Sequence, residues 1–156
     1  MTRTTIDWPC SHLDPESAPA AESALFDGMT VREVRSILDR FDLQTYRPGT
    51  RIVTEGKDGE EFFIIVDGEA ELSIHDQPVA SLGSGDFFGE IGVLDTGPRL
   101  GSVAATSTLV ALTLANNRLG DVVVDHPKLG LNLLRGIIKR YRAGVTPARL
   151  AAAGSA

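Results

Sequence analysis

The run Phe88-Gly89-Glu90-Ile91-Gly92-Val93-Leu94-Asp95-Thr96-Gly97-Pro98-Arg99 places one carboxylate and one guanidinium nine positions apart around glycine-rich backbone. Gly89 lets the main chain come close to a ligand. Residues 90–94 are enough for about one helical turn, and a helix N-terminus offers unpaired N–H groups to an anion. Asp95, Thr96, Gly97 and Pro98 have turn chemistry, so Arg99 can return toward the same place. The planar fork of Arg99 suits phosphate oxygens and keeps its charge. Glu90 only accepts hydrogen bonds when ionised, so it suits sugar hydroxyls and not phosphate. The chemistry this spacing favours is the holding of a phosphorylated sugar.

Elements able to position these groups follow from periodicity. Thr30 and Glu33 form a capping box, and Val31, Val34, Leu38 and Phe41 recur at helical spacing, which predicts a first helix over 30–41. Short strands bounded by turn residues are expected at 51–54, 62–66, 69–75 and 79–82. In the third, Ala70, Leu72 and Ile74 share one face. Asp67-Gly68 reads as a hairpin turn, and Gly83 and Gly85 lead into the glycine-rich run. A long β-prone stretch covers 102–114, helical character returns at 117–124, and Pro127 suits the first turn of a final helix to about residue 142. In that helix Leu129, Leu133, Ile137 and Tyr141 fall on one face, with Leu134 and Ile138 beside them. Arg135, Lys139, Arg140 and Arg142 fill the polar sectors. Residues 1–23 have no usable period and read as a mobile arm, and 143–156 as a flexible tail.

Length and charge narrow the classes. A chain of 156 residues suits one domain and is too short for a regulator joined to a full catalytic domain. With 21 acidic against 15 basic residues and a net charge of −6, the whole chain gives no electrostatic case for nucleic acid. The single Cys10 excludes an internal disulfide, and no apolar run is long enough to span a bilayer, so a cytoplasmic location is expected. Cys10 and His12 alone do not make a metal site. His12, His75 and His126 are too scattered for a metalloenzyme of the small-barrel type, so no enzyme and no metal are expected.

The run from Phe88 to Arg99 resembles the phosphate-binding cassette of the cyclic nucleotide-binding domain family, with its F-G-E opening and P-R close. Pro48, Gly49, Ile52, Glu55, Gly56, Gly59, Phe62, Ile64 and Gly68 match an earlier pattern of that family at the same spacing, so the resemblance covers roughly 24–141. It implies a mainly β fold with flanking α-helices. The specific form is an eight-stranded β-jelly-roll barrel over about 46–115, a short cassette helix, an N-terminal helix and C-terminal helices over about 117–142, all within a domain spanning 24–142. It also implies that Glu90 binds the ribose 2′-hydroxyl and Arg99 the cyclic phosphate. Gly89, Ile91 and Gly92 would give backbone contacts, and Leu100, Gly101 and Ser102 would complete the ligand site. Leu100 stands where the family has alanine, serine or threonine. Threonine there helps select guanine, so its absence favours cAMP over cGMP.

The final helix then has three readings: packing on the barrel, capping the base through Leu133, Leu134 and Ile137, or pairing with a second copy. The chain ends 14 residues beyond Arg142, which leaves no room for a DNA-reading domain, so the output is expected through an unidentified protein effector or a homodimer. The leading expectation is a cyclic nucleotide sensor without a further cofactor. The alternative is a scaffold domain that kept the fold and lost the ligand, with Leu100 as its mark.

Overall fold

The computed structural model describes residues 23–90 and 97–144. The expected arm over 1–22, the cassette residues 91–96 with Ile91 and Gly92, and the tail beyond Gly144 lie outside them. After a single 3-10 turn, Ala24–Phe26, the order is α1 (Val31–Leu38), then strands β1 (Asp42–Tyr46), β2 (Arg51–Val53), β3 (Glu61–Asp67), β4 (Ala70–Ile74), β5 (Gln77–Leu82), β6 (Phe87–Phe88), β7 (Ser102–Ala105) and β8 (Leu109–Ala115). Helices α2 (Asn116–Asp125) and α3 (Pro127–Arg142) follow.

The strands make two antiparallel sheets of four, ordered β1-β8-β3-β6 and β2-β7-β4-β5. No pairing among the described strands joins the two into one closed barrel, so the architecture established here is a two-sheet fold with helices. Two separate clusters show the layering. Phe62, Ile64, Val66, Phe87, Leu112 and Leu114 pack with Val34, Ile37, Leu119, Val122, Leu129 and Leu133 of the helices. The alternate residues Phe63, Ile65, Phe88 and Leu109 pack with Val53, Ala70, Leu82, Val103 and Ala105 of the second sheet. The first sheet is therefore covered on both faces, which is why β3 reads as an unbroken apolar run from Phe62 to Val66.

The capping box forms: the Glu33 N–H donates to Thr30 Oγ1 at 3.2 Å and the Thr30 N–H to Glu33 Oε2 at 2.8 Å. The helix it opens ends at Leu38, and its buried residues are Val34 and Ile37 while Val31 is exposed. Phe41 has left the helix and meets the Phe62 ring edge-on.

Four strand expectations need correction. Strand β1 was not foreseen, because Asp42-Leu43-Gln44-Thr45-Tyr46 is an edge strand with only Leu43 fully buried. Strand β6 has two residues, too few to show a period. The stretch 102–114 breaks at Thr106-Ser107-Thr108 into strands of different sheets. Finally, Asp67-Gly68 does not close a hairpin, since β3 and β4 lie in different sheets. At Gly68 (φ 92°) a Cβ would overlap the Thr108 carbonyl, so the glycine serves a close crossing between sheets. The true two-residue hairpin turn is His75-Asp76, with φ of 50° and 58°, between β4 and β5.

Candidate ligand-binding site

Arg99 stands three residues before β7 and is held first by its backbone. Its N–H donates to Lys57 O at 2.9 Å, and its carbonyl accepts from the Gly56 N–H at 2.8 Å. The side chain then folds inward, leaving the residue 8% exposed. Nη1 donates to Gly89 O at 2.9 Å and Nη2 to Glu61 O at 2.8 Å. Among the described residues Nε is buried without a hydrogen-bond partner. Burial lowers the pKa of this guanidinium, while Glu90 and then Glu61 oppose the shift. A guanidinium starts so high that it stays cationic at neutral pH. A buried cation with an idle donor is the feature an anion would complete.

Glu90 lies at the same end of the first sheet, two residues after β6, and its side chain is 4% exposed. Its partner was not foreseen: Arg140 of α3 donates from Nη1 to Glu90 Oε1 at 2.8 Å. The Arg140 guanidinium also lies over the Phe87 ring, 4.5 Å from its centroid. One turn earlier, Gly136 passes so close to Phe87 that a Cβ there would overlap the ring. A turn before that, Asn132 donates to the carbonyls of Leu25 at 2.8 Å and Asp27 at 2.9 Å. The row 132, 136, 140 is thus an inward face of α3 at helical spacing, polar or small where apolar residues are usually sought. The row was visible in the sequence. Charge alone puts Arg140 in a polar sector, and only the fold supplies its partner.

The other candidates sit as follows. Gly89 has φ 88°, and a Cβ there would lie 2.6 Å from Glu61 O, so no other residue fits without distortion. Leu100 is 45% exposed and is not turned into the domain. A Cβ on Gly101 would stand 2.9 Å from Ser73 O. Ser102 is buried and its Oγ accepts from the Glu55 N–H at 2.9 Å, which ties the strand start to the β2 loop. Of the three residues expected over the base, Leu133 is 2% exposed within the helix-side core and Leu134 faces outward at 51%. Ile137 is half-buried at the edge of that core. Among the described residues there is no cluster of three or more metal-ligating side chains.

A buried guanidinium with an idle donor and a buried carboxylate thus stand together in a two-sheet β-domain. The family model for the cyclic nucleotide-binding domain matches residues 43–126. The chain belongs to that family, which is one of regulatory binding domains and not of enzymes. It is 36% identical over 121 residues to a cAMP-dependent protein kinase regulatory subunit of Hypocrea atroviridis, covering 78% of this chain and 24% of that protein. The chain spans about a quarter of the length of that relative. It also superposes on the catabolite activator protein of Thermus thermophilus with a TM-score of 0.74 and 27% identity, over 83% of this chain and 63% of that one. A cyclic nucleotide-binding domain from Methylobacillus flagellatus gives a TM-score of 0.70 and 25% identity, over 80% and 75% of the two chains.

Proposed function

We propose that the protein is a cAMP sensor that couples ligand in the Glu90–Arg99 site to the position of α3. The observation that carries this reading is the buried, unpartnered Nε of Arg99, a donor that the cyclic phosphate would satisfy. Glu90 accepts from the ribose 2′-hydroxyl, with Gly89, Ile91 and Gly92 beside the phosphate and Leu100, Gly101 and Ser102 closing the site. Base capping falls to Ile137; Leu133 could join it only by leaving the core, and Leu134, expected with them, faces outward. Because the carboxylate that receives the ribose is the one that Arg140 holds, occupancy of the site is felt by α3. Membership of the family and the similarity to a cAMP-dependent protein kinase regulatory subunit support cAMP as the nucleotide. The absence of threonine after Arg99 favours it over cGMP.

Output through a second copy is supported by the outward row Leu131, Leu134, Ile138 and Tyr141, each at least 44% exposed. Their 3-4-3 spacing is that of a two-stranded helical seam. A concentration series in light scattering tests this: a dimer that Leu134→Glu dissolves supports it, and a monomer at all concentrations points to a separate protein effector. No helix among the described residues is long and apolar enough to cross a membrane, and the reading places the protein in the cytoplasm.

A ligand-free scaffold is favoured by a different observation: Arg99 Nη1 and Nη2 already donate to protein carbonyls and Glu90 is already paired with Arg140. Calorimetric titration with cAMP and cGMP separates the two readings. Micromolar or tighter cAMP binding, weakened on the order of a hundredfold or more in Arg99→Ala by loss of one partner of a buried ion pair, supports the sensor. No heat from a folded protein with either nucleotide supports the scaffold.

A further inference from the structure

Gly59 has an ordinary backbone conformation, unlike its neighbour Gly56 (φ 77°), so its lack of a side chain is not explained by its own dihedral angles. What explains it is Arg99. A Cβ on Gly59 would overlap Nε, Cζ and Nη2 of that guanidinium, so the planar group lies directly against the Gly59 backbone. That stretch of backbone is in turn fixed from behind by Asn116, the first residue of α2. Asn116 Nδ2 donates to Gly59 O at 2.8 Å, and the Asn116 N–H donates to Glu60 O at 2.7 Å. The next carbonyl along, Glu61 O, receives Arg99 Nη2. Gly59 thus takes the face of the guanidinium and Glu61 O its Nη2, and Asn116, from the β8–α2 junction, holds the carbonyls of Gly59 and Glu60.

Resting on the sensor reading, we infer that Gly59 and Asn116 are positioning residues for the phosphate-binding arginine. They aim the guanidinium without touching the ligand. Charge alone would not need this arrangement: a lysine lacks the flat group that lies on a glycine, whereas donors in a fixed plane gain from having that plane fixed in advance. The buried Nε packs on Gly59 but keeps no hydrogen bond, because the carbonyls of Gly89 and Glu61 take up the two terminal nitrogens.

The test is a pair of double-mutant cycles. In the ligand-free protein, Gly59→Ala should lower Tm by about 3–6 °C in the wild-type background, and by little or nothing in the Arg99→Ala background, where the overlapping group is gone. This arm needs no nucleotide, so it judges the seat even if the sensor reading fails. In cAMP titrations, Gly59→Ala should weaken binding by about tenfold or more and Asn116→Ala by about threefold to tenfold, while Gly59→Ala should add nothing to Arg99→Lys. An equal fall in Tm in both backgrounds overturns the seat. Wild-type affinity in Gly59→Ala and Asn116→Ala overturns their role in positioning. Absence of cAMP binding by the wild-type protein overturns the sensor reading instead, and leaves the stability cycle to decide the contact.

Discussion

Replacing Arg140 by alanine removes the cation that donates to a carboxylate almost fully buried, and leaves that carboxylate with the field of the Arg99 guanidinium. The side chain of Glu90 is 4% exposed and that of Arg140 is 24% exposed. Leaving one partner of a fully buried pair unpaired costs about 3–5 kcal/mol, but the outer position of Arg140 lets water approach once it is gone, so about 2–3 kcal/mol is the better expectation. Loss of the cation over Phe87 adds about 0.5–1 kcal/mol. This penalty falls on the last two turns of α3, which can open without unfolding the sheets. Native-state hydrogen exchange is therefore the assay. The amides of Lys139 to Gly144 should exchange about 30-fold faster or more, since 2 kcal/mol is close to one and a half powers of ten. In a Glu90→Gln background the same substitution should accelerate them far less, because no buried charge remains to be left alone. Equal acceleration in both backgrounds, or unchanged protection in Arg140→Ala, would refute the claim that this pair fastens the helix to the site.

Two further substitutions probe the same scaffold. Gly136→Ala gains about 1 kcal/mol of helix propensity yet should destabilise the protein in urea unfolding, because the new methyl meets Phe87 and overpacking costs about 1–3 kcal/mol. The sign should reverse in a Phe87→Leu background, and a stabilised single variant would show that α3 does not pack as described. Glu33 is held below its ordinary value of 4.5, first by the Thr30 backbone N–H and then by the Thr30 hydroxyl. A lowered native value means that its stabilisation is complete above pH 4.5 and lost as pH falls through the lower value. The gap in urea midpoint between wild type and Glu33→Ala should therefore be widest at neutral pH and close in acid, and a gap constant with pH would exclude the capping box as its source.

The parts of this molecule that the sequence makes legible are those where one local rule suffices. Thr30 and Glu33 announce the helix start, and the unbroken apolar run of β3 announces burial on both faces. The glycine, carboxylate and arginine of the cassette announce the family. What stays hidden depends on partners distant in sequence. Asp67-Gly68 carries the residues of a hairpin, but the strands it joins lie in different sheets and Gly68 packs on the Thr108 carbonyl, some 40 positions away. Arg140 looks like a solvated charge until the burial of Glu90, 50 positions earlier, gives it a partner. Gly59 looks like one more turn glycine because nothing nearby shows that a guanidinium will lie on it. Residues 91–96 belong to the motif that was easiest to read, and they lie outside the described residues.

The most direct test of the anion site follows the buried Nε–H of Arg99 itself. In a ¹⁵N-labelled sample, its resonance is assigned by its loss in Arg99→Lys and followed while cAMP is added. A large displacement that saturates at one equivalent is expected, as an idle donor gains a phosphate oxygen. A resonance that stays in place while cAMP binding is detected elsewhere, or while none is detected at all, would contradict the claim that this arginine is the anion site.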